Sequence, residues 1–213
     1  MNSGRVGYGA FRSPAERGAG ALMPERKGDI AEGRAGGRAW YELLIRPDGV
    51  RAAEIALFAE ALRTRWSPEA DEAPQILLAS FSAWESMEPT LIRWIQRVCN
   101  ETPCFQLGLR NFGGVPPSTI CLRIPDTTPL SRLTSRLRVI EDYVDAGQGQ
   151  KVQWAPRPQL ALGGPLPERV YLEAVTAHAG IEYQADLRVH RMMLRKTEPS
   201  GRAHVVNIFP FHP

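Results

Sequence analysis

The unit Pro-Gln-apolar-X-Leu occurs twice, as Pro74-Gln75-Ile76-Leu77-Leu78 and as Pro158-Gln159-Leu160-Ala161-Leu162, 84 positions apart. Each copy opens a short apolar stretch behind a proline, which suits the first residue of a strand and not its interior. Residues i and i+2 of a strand share a face. Gln75 with Leu77, and Gln159 with Ala161, therefore project as pairs, while Ile76, Leu78, Leu160 and Leu162 point into the core. One such strand in each half of the chain predicts a duplicated architecture.

The elements around the two units agree with that. Trp40 to Ile45 reads as a strand, Arg46-Pro47-Asp48-Gly49 as a turn, and Val50 to Trp66 as a helix with Ile55, Phe58, Ala59 and Leu62 on its buried side. The first glutamine strand spans Gln75 to Phe81. A helix opens at Glu88-Pro89-Thr90, with Leu91, Ile92, Trp94, Ile95 and Val98 as its stripe. Phe105–Arg110 and Thr119–Ile124 form a hairpin-like pair. Pro129 starts a third helix carrying Leu130, Leu133, Leu137, Ile140 and Tyr143. After a Gly/Gln loop, the second glutamine strand spans Gln159 to Gly163, and Pro167 opens a helix. Two closing strands are expected, Gln184–Arg195 and His204–Phe209. The order predicts two half-units of an α+β architecture around a central cleft.

From Trp40 to Phe209 the chain resembles the 2H phosphoesterase superfamily, the 2′-5′ RNA ligase-like proteins. The resemblance rests on Ala73 to Phe81, Glu85-Ser86-Met87-Glu88, the strand and glycine turn Phe105 to Pro116, the strand Thr119 to Ile124, and Arg157 to Leu162. It implies a duplicated fold, two antiparallel-sheet lobes around a central cleft with helices on the outer faces. It also implies RNA phosphoester chemistry by two His-X-Thr/Ser motifs, one per lobe. Here Gln75 and Gln159 stand where the histidines would be, and Leu77 and Ala161 where the hydroxyls would be.

The substitution matters because general acid–base catalysis needs groups that change protonation near neutral pH, and a positioned acid or base is worth ~10²- to 10⁴-fold. An amide does not titrate there. The leading expectation is thus a catalytically degenerate protein binding RNA ends or nucleotides, with Gln75, Leu77, Gln159 and Ala161 as vestigial-site candidates and no catalytic residue. The alternatives are a 2′,3′-cyclic phosphodiesterase using other groups, and a purely structural or partner-binding domain. His178, His190, His204 and His212 are the available histidines, and none sits in a paired motif. Basic and aromatic residues interleave at Lys151, Trp154, Arg157 and at Arg188, Arg191, Arg195. They suit an anionic rim, or the packing of long stems over the core.

Composition narrows the setting. Among 213 residues, 43% are hydrophobic and 23% charged, with a formal net charge of +3. That fits one domain plus an extension, without the dense basic stripe of a dedicated nucleic-acid domain. Residues 1–37 are rich in Gly, Ala and Arg without periodicity, and are expected to be a disordered extension ahead of a domain at 38–213. They would serve as an RNA-binding tail, or more simply as a floppy extension or an over-long start with Met23 as initiator. Cys99, Cys104 and Cys121 lack metal-ligand spacing and read as reduced thiols of a cytoplasmic protein. No cofactor, metal or membrane contact is expected. The expected partner is RNA or a nucleotide, and the expected state is a monomer.

Overall fold

Alternating burial sets the architecture. The computed structural model describes residues 37–66, 72–115, 118–144 and 151–213. The predicted extension falls outside these except for Gly37. Among the described residues nine strands form one sheet: β1 (Arg38–Ile45), β2 (Gln75–Trp84), β3 (Phe105–Val115), β4 (Thr119–Arg123), β5 (Gln153–Trp154), β6 (Leu160–Ala161), β7 (Gln184–Val189), β8 (Arg191–Thr197) and β9 (Ala203–Pro210). Every pair of these strands is antiparallel, in the order β7-β3-β4-β6-β2-β1-β8-β9, with β5 also on β2. The sheet curls into a half-barrel. The predicted α+β fold is present, and its two lobes are halves of this one sheet, joined where β6 pairs with β2.

The helices cover one face. They are α1 (Gly49–Trp66), α2 (Glu88–Asn100), α3 (Thr128–Leu137), α4 (Glu141–Val144) and α5 (Glu168–His178). Pro89 and Pro129 sit in the first turns of α2 and α3, where a missing N–H costs nothing. Helical spacing buries Ile55, Ala59 and Leu62 of α1, and Leu91, Ile95, Val98 and Cys99 of α2. Phe58 of α1 packs edge-on against Phe112, and Tyr41 donates to Glu88 of α2 at 2.9 Å. Tyr171 of α5 lies so close under Gly114 that a Cβ there would meet its hydroxyl oxygen at 2.1 Å. Tyr41, Phe81, Phe112 and Leu122 thus share the covered face, and Tyr41 and Phe81 stack at 5.7 Å between ring centroids.

Three expectations on the strands are corrected. Gln184 to Arg195 is not one strand. It breaks at His190, because β7 belongs to β3 at one end of the sheet and β8 to β1 near the other. The second glutamine strand is only Leu160–Ala161, with Gln159 just ahead of it. β3, in contrast, runs past Arg110 and through the expected glycine turn, with Gly113 and Gly114 paired to Cys121 and Ile120, as far as Val115, across a register shift between Arg110 and Phe112.

Candidate functional site

The seam between β2 and β6 brings the two glutamine units together. Gln75 lies directly opposite Ala161, and Ile76 opposite Leu160. One further step in this register sets Leu77 opposite Gln159. The four candidate residues form a two-by-two patch with approximate twofold symmetry, Gln75/Ala161 beside Leu77/Gln159. Gln75 and Gln159 are diagonal neighbours, about 7–8 Å apart at Cα. Ile76 and Leu160 are fully buried on the helix side, which turns the patch to the other face.

Each glutamine is held by a donor, which fixes its amide. The backbone N–H of Ile124 donates to Gln159 Oε1 at 2.6 Å. Gln75 is 8% exposed, and Arg195 Nη1 approaches its Oε1 at 3.5 Å. Neither partner can accept, so each amide turns its oxygen to that donor and keeps its NH₂ as a donor. Arg195 is itself compensated: Nε donates to Glu42 Oε2 at 2.8 Å, and Nη2 lies 2.7 Å from the same oxygen and 3.6 Å from Glu72. Cys121 pairs opposite Ala161. Burial pushes its thiol up to about 11, so it is no thiolate nucleophile near neutral pH.

On the other side of the seam the face is cationic. Arg110, Arg123, Arg157, Asn111, Thr127 and Gln159 line a cavity of about 510 Å³. Two local features build it. Asn111 has φ 47°, a left-handed conformation Asn tolerates, and exchanges bonds with Tyr183 through its N–H (2.8 Å) and Oδ1 (3.1 Å). The resulting bulge shifts the alternation of β3 by one: Leu107 and Leu109 before it and Phe112 after it all face the core, and Arg110 is set on the groove side opposite Arg123. Gly113 then leaves room for the Arg123 side chain, whose Nε would sit 2.5 Å from any Cβ there.

The histidines stay away from the patch. His190 Nε2 pairs with Asp48 at 2.9 Å, and His178 Nδ1 bonds the Ala174 carbonyl. His204 lies opposite Lys196, which lies opposite Tyr41, so it faces the helix side. His212 Nδ1 contacts the Pro213 carbonyl. The predicted basic–aromatic rim is dispersed. Trp154 donates to Glu141 at 2.6 Å, Arg191 pairs with Asp48 and Arg195 with Glu42, and only Arg157 reaches the cavity. Arg110 and Arg123 carry no sequence signal, because their meeting depends on the bulge. Among the described residues no group of acids, histidines and cysteines could hold a metal, and no helix is long and apolar enough to cross a membrane.

This geometry has close counterparts among solved structures. Apo LigT of E. coli superimposes with a TM-score of 0.56 at 16% identity, covering 83% of this chain and 99% of that one. The chain has the fold of LigT. A phosphoesterase structure gives 0.54 at 16% identity over 82% of this chain and 99% of that one. TT0787 of Thermus thermophilus gives 0.51 at 15% identity over 82% and 98%. LigT has also been captured with 3′-AMP and with ATP. No family model matches the sequence, and no curated protein matches it. The LigT-like fold agrees with the predicted 2H phosphoesterase-like architecture.

Proposed function

We propose that this protein binds nucleotides or RNA ends at the β2–β6 face without turning them over. The observation that carries the reading is the pair of anchored amides. Gln75 and Gln159 keep the diagonal placement of a two-residue site, yet each has its acceptor oxygen engaged and only N–H donors left to give. Donors hold phosphate and carbonyl oxygens but move no proton. Leu77 and Ala161 add no hydroxyl. The complexes of LigT with 3′-AMP and ATP support a nucleotide ligand for a groove of this shape.

Two measurements on the purified protein test the reading. Incubation with 2′,3′-cyclic nucleotides and 2′-5′-linked oligonucleotides should give no product above buffer. A labelled short RNA should bind, and Gln75→Ala with Gln159→Ala together should weaken it about 30-fold, at ~1 kcal/mol per hydrogen bond. Turnover that disappears in His190→Ala or His204→Ala would sink the non-catalytic reading. Absence of any nucleotide or RNA binding would sink the reading as a whole.

A further inference from the structure

We infer that the groove selects a terminal phosphate monoester, a dianion, seated among Arg110, Arg123 and Arg157, with the attached nucleoside lying toward Leu77. The inference rests on the binding reading above and names the ligand end it would take.

Charge compensation is the first argument. No carboxylate lines the cavity that holds these three arginines, and none of them forms an ion pair among the described residues. Among the described residues, the hydrogen bond from this group to a side chain runs from Arg110 Nη1 to the neutral amide of Gln184 at 3.1 Å. Arg191 and Arg195, in the other half of the sheet, are both held by acids. Asp126 adjoins the cavity in sequence but does not line it, and its carboxylate accepts from the Thr128 N–H at 2.9 Å. Three guanidinium groups around one cavity, with no ion pair among the described residues, repel each other and concentrate anions. A phosphate monoester carries about −1.5 to −2 charge and three acceptor oxygens near neutral pH, whereas a cyclic or internal diester carries one charge. Arginine pairs with such oxygens bidentately. Gln159, which lines the same cavity and has its oxygen engaged by Ile124, adds a neutral NH₂ donor.

The second argument is the row of residues in which the arginines stand. Crossing the sheet from β3, the register reads Arg110, Arg123, Gln159, Leu77, Leu44, Met193 and Ile208. It begins cationic and ends apolar, with Leu77 37% and Ile208 46% exposed. Arg123 and Leu77 are two strand spacings apart, about 10 Å, which is on the scale of one nucleotide. A phosphate at the arginines thus lays its own base on Leu77, the position where a catalytic site would want a hydroxyl.

The test compares three labelled pentaribonucleotides of one sequence, ending in a 3′-phosphate, a 2′,3′-cyclic phosphate or a 3′-hydroxyl, by fluorescence anisotropy at fixed salt. Inorganic phosphate and 5′-AMP serve as competitors, to separate a free anion and a 5′ end from a 3′ end. The monoester should bind about tenfold tighter than either other end. That advantage should shrink as pH falls from about 7.5 to 5, because the second phosphate pKa is about 6. Arg123→Ala and Arg157→Ala should each erase it, and removal of a charge outside the cavity, Arg132→Ala, should not. Unchanged circular dichroism keeps these variants interpretable. Equal binding of all three ends, indifferent to the arginine substitutions, would overturn this inference and leave the broader binding reading standing. Failure of every probe to bind would remove both.

Discussion

A buried thiol and an anchored amide are alike in what they cannot do. Cys99 and Cys121 are buried, and burial pushes their thiols up to about 12 and about 11. Cys104 is half-exposed. Native protein should therefore yield one readily modified thiol to Ellman's reagent, Cys104, and three in concentrated guanidinium. Rapid native labelling at Cys121 would contradict the burial described for the site. The same shifts act on stability with a definite sign. Both folded-state values lie above the ~8.5 of an unfolded thiol. The contribution is present in full below pH ~8.5 and is lost as pH rises through about 11 and 12. The urea midpoint should fall between about pH 8 and 10.5, and a flat profile would count against it. The identity of the four candidate residues was legible in the sequence, because a period of two and a repeated dipeptide need no tertiary information. Their anchoring was not: Ile124 and Arg195 lie 35 and 120 residues from the glutamines they hold.

Among the elements, β3 carries the most consequence for the groove. The helices and core strands announce themselves by apolar periodicity, as Ile55, Ala59 and Leu62 do for α1. The bulge in β3 does not, because a positive φ at Asn111 leaves no trace in hydropathy. The break at His190 is equally hidden, since Gln184 to Thr197 contains no glycine or proline and only the competing partners β3 and β1 divide it. β3 also depends on a missing Cβ. At Gly114 an added methyl would stand 2.1 Å from Tyr171 Oη and 2.7 Å from its Cζ, the end of a ring buried under α5. Gly114→Ala should cost about 1–3 kcal/mol by overpacking. Tyr171→Leu in the same chain should recover part of that, a coupling measurable in a double-mutant cycle of denaturant midpoints. Wild-type stability for Gly114→Ala alone would show that α5 moves aside freely.

Taken across the whole sheet, the molecule sets an arginine held by acids on one side of the seam and, on the other, a cavity whose three arginines form no ion pair among the described residues, and the two glutamine positions lie one on each side. Near Gln75 the charge of Arg195 is met by Glu42 and Glu72. Near Gln159 the charges of Arg110, Arg123 and Arg157 are not met within the cavity, and the acceptor position is served by the Ile124 N–H. The two positions are therefore electrostatically unequal although they are geometrically paired. This bears on any attempt to rebuild catalysis with Gln75→His, Leu77→Thr, Gln159→His and Ala161→Thr in one chain. The imidazole introduced by Gln159→His would face uncompensated arginines and a backbone donor that favours an unprotonated ring nitrogen. Both effects lower its pKa below the ordinary ~6.5. It would be neutral at neutral pH, available as a base and unable to serve as the acid. Any proton to be donated must come from the imidazole at position 75, so Gln159→His or Gln75→His alone should give no turnover, because the pair acts as a unit. NMR titration of the Gln159→His variant gives the decisive reading. A midpoint at or above about 6.5 would show that the arginines around position 159 are neutralised in solution, and would undo the charge asymmetry on which the groove's preference for an anionic end depends.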